Sequence, residues 1–316
     1  MTELVAIDVG GTHARFALAS VADGAITLAE PVTLKTHDYP GLEAAWADFA
    51  KQVPGEVPRA AAIAAAGPVI DDKVKLTNSN WLIEATSLRG LGIDQVTLIN
   101  DFGAVAHAVA AAPPEELAHI AGPERPLPER GTISVVGPGT GLGVAYVLRW
   151  PGGYHVQATE GGHVGFAPQD EFEDRVLAAL RAQHGRVVTE RVNAGPGIAP
   201  IYRALGGEAL SDERELWRQG IEWEEALAAE AVDRFCASLG SAVGDYALAH
   251  GASAVVLAGG IGLRLRDRLP QSRFAERFCA KPRYEQMMAG IPVKLIVHPQ
   301  PGLYGAVAAF GLEHLQ

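Results

Sequence analysis

A carboxylate and two glycines stand together near the start of the chain. Asp8 lies at the end of the apolar run 4–9, and Gly10, Gly11 and Thr12 follow it. Adjacent glycines let the backbone turn sharply, and their bare amides can approach a phosphate closely. A carboxylate at a strand end can hold Mg²⁺ directly or through water. The pattern fits a nucleotide-phosphate site and also an ordinary β-hairpin turn.

Two further glycine clusters occur later in the chain. GPGTGLG at 137–143 lies between two strand patterns, and GGIG at 259–262 lies between a strand pattern and a helix pattern. Neither matches the GxGxxG dinucleotide fingerprint or the GxxxxGK[ST] P-loop, so neither of those sites is supported. Each cluster can be a plain turn, or a place where a nucleotide approaches the backbone.

An acid closes another apolar run. Asn100 and Asp101 follow the strand pattern 96–99 and precede the helical pattern 103–111. Asp101 can cap that helix. It can also act as a general base that accepts the proton of an attacking sugar hydroxyl during phosphoryl transfer. The residues alone leave both interpretations open.

Carboxylates and an imidazole form a third kind of pattern. Glu160 and His163 are separated by two glycines, and Glu190 precedes the GPG of 195–197. Carboxylates that accept hydrogen bonds from neighbouring hydroxyls can bind a sugar. No further ligand follows at metal spacing, so a zinc site is not expected. The motifs GxSxG and HExxH are absent, which argues against a serine hydrolase and a zinc protease.

The elements that must position these groups recur in the same order in both halves. Strand patterns of the first half occur at 4–9, 15–20, 25–34, 60–65 and 96–99, and those of the second half at 132–136, 142–148, 154–157 and 254–258. A repeated βββ-αβ order predicts two related α/β domains. The Pro-, Glu- and Gly-rich segment 112–130 is the predicted boundary. The helical pattern 303–315 is expected to return to the first domain, which gives a small domain of 1–111 plus 301–316 and a large domain of 112–300.

Composition excludes several classes of protein. The 316-residue chain has a formal charge of -11, which argues against the extended basic surface that nucleic-acid binding requires. Its two cysteines show no CxxC spacing, so neither a disulfide framework nor structural zinc is expected. The first residues lack a signal-peptide pattern, and no apolar run is suited to spanning a membrane. A cytoplasmic protein is expected.

Together the motifs resemble a known family. DVGGTHAR at 8–15, GPGTGLG at 137–143 and LAGGIG at 257–262 resemble, in order, the two phosphate motifs and the adenosine motif of the sugar kinase, actin and Hsp70 superfamily. INDF at 99–102, EGGH at 160–163 and TERVNAGPG at 189–197 resemble the sugar-binding segments of bacterial glucokinases. The resemblance covers nearly the whole chain. The segment 164–170 lacks the cysteines of the ROK zinc motif, which favours the zinc-free, non-ROK branch.

The resemblance implies a fold, a reaction and roles for residues. The implied fold has two actin-like ATPase (ribonuclease H-like) domains, each a five-stranded mixed sheet flanked by helices, with a cleft between them. The implied reaction is ATP-dependent phosphorylation of D-glucose at its 6-hydroxyl, with Asp101 as base. The implied sugar ligands are Asn78, Asn100, Asp101, Glu160, His163 and Glu190. The implied nucleotide-binding residues are Asp8, Gly10, Gly11, Thr12, Gly137, Gly139, Thr140, Gly259 and Gly260.

The resemblance also implies cofactors and partners, and three alternative functions stay open. ATP and Mg²⁺ are expected without zinc, with Asp8 supporting Mg²⁺ through water; glucose and ATP are the expected partners, and the family suggests a homodimer. A kinase for another hexose or an N-acetylhexosamine would use the same motifs. A non-catalytic sugar sensor would not need Asp101, and an assembly ATPase of the actin or Hsp70 type would lack EGGH and INDF.

Overall fold

The computed structural model describes residues 1–77, 79–208 and 212–315, which form two units. The first unit comprises Met1–Ala112 and His298–Gln316, and the second comprises Pro113–Val297. Each unit is built on a mixed β-sheet with helices packed against it. No helix within the described ranges is long and apolar enough to cross a membrane.

The first unit contains most of its elements in one continuous stretch. They are β1 (Thr2–Val9), β2 (His13–Ala22), β3 (Ala25–Leu28), β4 (Val32–Lys35), α1 (Leu42–Ala50), β5 (Ala60–Ala65), β6 (Lys73–Lys75), β7 (Leu82–Glu84), α2 (Ala85–Arg89), β8 (Gln95–Asn100) and α3 (Asp101–Ala111). The sheet order is β3-β2-β1-β5-β8, and β4 also pairs with β2. β1 is antiparallel to β2 and parallel to β5, which is parallel to β8.

The register of this sheet aligns the ends of three parallel strands. Asp8 lies opposite Ala64, and Ala64 lies opposite Ile99. Ligands of open α/β sheets bind beyond the carboxyl ends of parallel strands. The sheet therefore brings Asp8 and the Asn100–Asp101 pair to the same edge.

The second unit contains the remaining strands and most of the helices. They are β9 (Leu117–Ala121), β10 (Gly131–Pro138), β11 (Leu142–Trp150), β12 (Gly153–Thr159), α4 (Glu171–His184), α5 (Glu190–Asn193), α6 (Ile198–Ala204), α7 (Glu213–Ile221), α8 (Ala226–Ala249), β13 (Ala252–Leu257), α9 (Gly259–Arg264), α10 (Phe274–Cys279), α11 (Glu285–Ala289) and β14 (Val293–Ile296). The sheet order is β12-β11-β10-β13-β14-β9. The chain then returns to the first unit as α12 (Pro301–His314).

Both faces of the first sheet are covered, which explains why its central strands are apolar throughout. Val5 and Ile7 of β1 pack in one cluster with Trp46 of α1. The alternate residues Leu4 and Ala6 pack in another cluster with Leu303, Val307 and Phe310 of α12. The edge that carries Asp8 is thus fixed by helices on both sides.

The α/β class with mixed sheets and flanking helices is confirmed, and each sheet has six strands where five were expected. In the second sheet, both β9 and β14 lie outside the strand patterns of the sequence. In the first unit the expected run 25–34 is divided into β3 and β4, because Pro31 lies between them and cannot donate to a strand ladder. In the second unit β9 lies inside the segment expected to be a domain boundary, and it pairs antiparallel with β14.

Candidate active site

Asp8 is a constrained carboxylate at the end of β1. It lies opposite Arg15 on β2, with Arg15 Nη1 at 3.3 Å from Asp8 Oδ2, and about a quarter (24%) of its side chain is exposed. Burial raises the pKa of Asp8 above its usual range, and Arg15 opposes that shift. A β carbon at Gly302 of α12 would lie 3.1 Å from this carboxylate, so the glycine leaves room there.

These features fit a divalent cation. A carboxylate that is costly to ionise, with one long ion pair, gains from a nearby positive charge. Mg²⁺ is held by one or two carboxylates together with substrate phosphates and water, so Asp8 alone is a sufficient protein ligand.

The β1–β2 hairpin presents backbone amides beside Asp8. The Gly10 amide donates to the His13 carbonyl at 2.9 Å, which closes the turn. Thr36 holds the tip from behind, because its hydroxyl donates to the Gly11 carbonyl at 2.7 Å and its amide to the Thr12 carbonyl at 3.0 Å. Among the described residues, no protein acceptor engages the Gly11 or Thr12 amide. Two adjacent amides can therefore bind an anion.

Asn100, and not Asp101, caps helix α3. Asn100 Oδ1 accepts from the Gly103 amide at 2.9 Å, and its Nδ2 donates to the Gly67 carbonyl at 3.0 Å. Asp101 is the first residue of the helix, and its Oδ1 accepts from the Phe102 amide at 2.8 Å. The interpretation of Asp101 as the capping residue is wrong, since asparagine performs that role one position earlier. A carboxylate in the first helical turn interacts favourably with the helix dipole.

The β10–β11 hairpin is the counterpart in the second unit. Its turn is Gly139–Thr140–Gly141, closed by the Gly139 amide donating to the Gly141 carbonyl at 2.8 Å. The Gly195 amide donates to the Gly139 carbonyl at 2.7 Å. Within the part of the chain that the structure describes, the Thr140 and Gly141 amides have no protein acceptor. Gly137, expected in this turn, is instead a buried residue of β10, because that strand continues to Pro138, two residues further than the sequence predicted.

The glycines of 259–262 divide into a structural and an open position. Gly259 has φ +79°, and a β carbon there would lie 2.5 Å from the Pro138 carbonyl oxygen. A side chain is therefore excluded by both backbone conformation and space. Gly260 is exposed and has no atom within 4 Å of its β-carbon position. Gly260 is the glycine of this pair that a ligand can approach.

Glu160 and His163 flank a tight turn after β12, here called the 160–163 turn. The His163 amide donates to the Glu160 carbonyl at 3.0 Å, and both side chains are exposed. The two glycines between them lie against β11: a β carbon at Gly161 would be 2.8 Å from Val144, and one at Gly162 would clash with the Leu142 carbonyl. The glycines are required because no side chain fits there, and they leave the two flanking side chains accessible.

Glu190 has a contact that the sequence did not predict. Its Oε2 accepts from the Leu142 amide at 2.8 Å, so the carboxylate holds the start of β11. The segment before Glu190 is joined to the segment after His163, because the Thr189 amide donates to the Val164 carbonyl at 2.9 Å. The structure thus places Glu190 against the second hairpin as well as beside the 160–163 turn.

Two predictions remain beyond these observations. Asn78 lies outside the described residues. No group of three or more His, Cys, Asp or Glu side chains that could hold a metal occurs in the described ranges, and the expected absence of zinc stays a prediction.

Comparison with known proteins gives the family. The glucokinase family model matches residues 4–312. The glucokinase of Zymomonas mobilis is 51% identical, covering 99% of this chain and 98% of that protein, and the glucokinase of Caulobacter vibrioides is 40% identical, covering 97% and 94%. This chain belongs to the glucokinase family. A glucokinase crystal structure from an Antarctic psychrotroph matches with a TM-score of 0.87 and 32% identity, covering 99% of both chains.

Membership of this family confirms several expectations. The family resemblance, the actin-like ATPase fold, the enzyme class of sugar kinase and the activity of ATP-dependent glucose phosphorylation are confirmed. The individual site residues stay predictions, and their roles are proposed below.

Sequence reasoning missed the residues whose side chains hydrogen bond to the backbone of the site turns. Thr36 is 25 positions from Gly11, and Tyr246, whose hydroxyl donates to the Gly161 carbonyl, is 85 positions away. Neither residue belongs to a local motif. Only the capping role of Asn100 had a signal, because asparagine at a strand-to-helix junction is a preferred N-cap.

Proposed function

We propose that this glucokinase-family chain transfers the γ-phosphoryl group of ATP to the 6-hydroxyl of D-glucose, with Asp101 as the general base. The observation that supports these roles best is the register of β1, β5 and β8. It brings Asp8, Asn100 and Asp101 to one sheet edge beside a hairpin whose tip amides can bind phosphate.

The first unit supplies the base and one phosphate site. Asp101 accepts the proton of the 6-hydroxyl as the new bond to phosphorus forms. The amides of Gly11 and Thr12 bind phosphate oxygens, and Gly10 shapes the turn. Asp8 would hold Mg²⁺ through water, and that ion would supply charge neutralisation on the phosphates.

The second unit supplies the sugar-binding groups. The exposed side chains of Glu160 and His163 bind sugar hydroxyls. Glu190 can do so as well, because a carboxylate has about four acceptor sites and the Leu142 amide uses only one of them. Asn100 retains one hydrogen on Nδ2 for the same purpose. Asn78 is proposed as a further sugar ligand from the resemblance alone.

The second unit also supplies the remaining nucleotide contacts. Thr140, with the neighbouring Gly141 amide, binds phosphate, while Gly139 and Gly137 shape the hairpin that presents it. Gly260 lines the adenosine pocket, and Gly259 provides the turn that leads to it. ATP and Mg²⁺ are the proposed cofactors.

Further features are proposed from the sequence. The net charge of -11 supports a protein that does not bind nucleic acid. Use of ATP supports a location in the cytoplasm, and the absence of cysteine from 164–170 supports an enzyme without structural zinc. A homodimer is proposed from the family. The chain is proposed to have two domains, 1–111 with 301–316 and 112–300, which correspond closely to the two units.

The test is ADP release with Mg-ATP across a panel of sugars. The panel contains glucose, 6-deoxyglucose, mannose, fructose, N-acetylglucosamine, N-acetylmannosamine and a control without sugar. We expect rapid turnover with glucose and none with 6-deoxyglucose, which lacks the accepting hydroxyl. Turnover only with another sugar would move the specificity to another hexose or N-acetylhexosamine. Sugar-independent hydrolysis, or binding without turnover, would contradict the proposed reaction.

A further inference from the structure

Tyr246 of helix α8 contacts the 160–163 turn from the interior of the second unit. Its side chain is buried, with 6% of the residue exposed, and its hydroxyl donates to the Gly161 carbonyl at 2.8 Å. Gly161 lies between Glu160 and His163, the two exposed side chains proposed to bind sugar. A shift of this carbonyl would therefore move both side chains.

The second sugar-binding segment is joined to the chain that follows the same turn. Thr189 directly precedes Glu190, and its hydroxyl donates to the Val164 carbonyl at 3.3 Å. The Thr189 amide also donates to the Val164 carbonyl, at 2.9 Å, just after His163. The Tyr246 hydroxyl thus holds a turn whose following residue is bonded to the segment that carries Glu190.

The 160–163 turn and the segment after it are closely packed on one side only. Toward β11, the two glycines of the 160–163 turn leave no room for a side chain. Toward α8, a cavity of about 160 Å³ lies against the segment that follows the turn. Its lining includes Val164, Phe166, Thr189, Ser238 and Tyr246. Atoms beside a cavity have few contact partners, so a directional hydrogen bond is what fixes their position.

We infer that Tyr246 is a positioning residue for sugar binding, acting through the Gly161 carbonyl. This inference rests on the proposed function. Hydroxyl recognition depends on distance and angle, so a loosened turn weakens glucose binding. The groups proposed to bind ATP lie on the two hairpins and at Gly260. We therefore expect the effect to fall on glucose and to spare ATP.

The experiment replaces Tyr246 by phenylalanine, which keeps the ring and removes the hydroxyl. We expect KM for glucose to rise about tenfold, which corresponds to the roughly 1.4 kcal/mol available from one lost hydrogen bond. We expect kcat to stay within about threefold and KM for ATP within about twofold of the wild type. The increase in thermal unfolding midpoint produced by a fixed glucose concentration should also shrink.

Tyr39→Phe is the matched control. The Tyr39 hydroxyl donates to Asp48 at 2.8 Å in the first unit, so the chemical change is the same at a position outside the proposed site. We expect no change in either KM for this variant. Thr189→Val removes a hydroxyl that donates to the Val164 carbonyl at 3.3 Å, directly after the same turn, and should also raise KM for glucose, so it tests the support of the turn if Tyr246→Phe does not fold.

The outcomes separate this inference from the reaction it rests on. A wild-type enzyme that phosphorylates glucose, together with a Tyr246→Phe variant whose KM for glucose is unchanged, would overturn the positioning role. Equal rises in KM for glucose and ATP, or the same effect in the Tyr39→Phe control, would overturn it too, because they indicate a general structural effect. A wild-type chain inactive with every sugar would overturn the proposed function itself.

Discussion

The β1–β2 and β10–β11 hairpins share a topology and differ in chemistry at the facing pair one step before the turn. In each hairpin the last residue pair of the ladder is followed by a short glycine turn with two adjacent amides that have no protein acceptor among the described residues. One pair before the end, the first hairpin has Asp8 opposite Arg15, and the second has Gly137 opposite Gly143. Equivalent positions thus carry a charge pair in one unit and no side chains in the other.

The second unit places another glycine turn beside its glycine pair. Gly259, the first residue of α9, packs so closely on β10 that its β carbon would lie 3.2 Å from the Gly137 backbone carbon. This turn leads to the open Gly260. In the proposed assignment, the first hairpin combines amides for phosphate with an acid for a cation, while the second has no side chain at the equivalent positions and lies against the turn at Gly259.

The two tips are also held by different chemistry. A buried neutral hydroxyl, Thr36, holds the carbonyls of the first tip, and Thr36 is only 1% exposed. A carboxylate, Glu190, holds the Leu142 amide beside the second tip, with help from the Gly195 amide. Among the contacts of the described residues, the second hairpin is thus bonded directly to a side chain that is also proposed to bind sugar.

Within the two hairpins, the charge pair gives the largest expected effect. Asp8→Asn keeps the shape of the side chain and removes the charge that would support Mg²⁺. We expect kcat to fall about a hundredfold or more, as for loss of other electrostatic groups acting on a transition state. Steady-state kinetics over a range of Mg²⁺ concentrations measures this, with Asp48→Asn as the control. An Asp8→Asn enzyme with normal kcat would show that the charge difference between the hairpins is not functional.

The pH dependence of the unfolding free energy is an independent test of the environment of Asp8. Because burial raises the pKa of Asp8, the folded chain binds its proton more tightly than the unfolded chain. The contribution of this group to the unfolding free energy therefore falls as pH rises above about 3.8 toward the folded pKa. Denaturant unfolding should show Asp8→Asn gaining stability relative to wild type across that interval. The opposite trend would mean that Arg15 outweighs burial.

Gly259→Ala and Gly260→Ala form a matched pair in the second unit. We expect Gly259→Ala to lower the unfolding free energy by about 2 kcal/mol, because alanine is strained in the left-handed backbone conformation of this position and its β carbon would clash with Pro138. Gly260→Ala should leave stability nearly unchanged and raise KM for ATP severalfold. Thermal unfolding and KM for ATP together test the distinction. Similar losses of stability in both variants would contradict the assignment of Gly260 as the open position.

Glu190→Gln tests the double role of the residue that links the second hairpin to sugar binding. Glutamine can still accept from the Leu142 amide, so the fold should persist with an unchanged unfolding midpoint. A sugar hydroxyl loses a charged acceptor, and we expect KM for glucose to rise about tenfold. Kinetics with glucose and with ATP varied separately would measure this. An unchanged KM for glucose would reduce Glu190 to a support for the hairpin.

Thr36→Val gives the smallest expected effect, because it removes only a neutral hydroxyl from a residue of similar shape. The Gly11 carbonyl loses its partner, at a cost of about 1–2 kcal/mol in unfolding free energy. KM for ATP should rise about two- to fivefold, as expected for a slightly displaced tip. Calorimetry and kinetics together measure both quantities. A large fall in kcat would imply that Thr36 does more than hold the first hairpin.

Local chemistry explains which parts could be predicted from the sequence. Glycine turns and a strand-end acid are short-range features, so both hairpins and Asp8 could be located before the structure was known. Strand ends were less certain, and Gly137 was expected in a turn although it lies in β10. Thr36 and Tyr246 act across 25 and 85 positions, and no local periodicity reports such contacts.

Asp101 offers the most direct test of the central claim, since the account assigns it the proton of the accepting hydroxyl. We predict that Asp101→Ala lowers kcat for glucose about a hundredfold to ten-thousandfold, the usual range for a lost general base. Glucose should still raise the thermal unfolding midpoint, because Glu160, His163 and Glu190 remain. A variant with near-normal kcat would contradict the proposed mechanism.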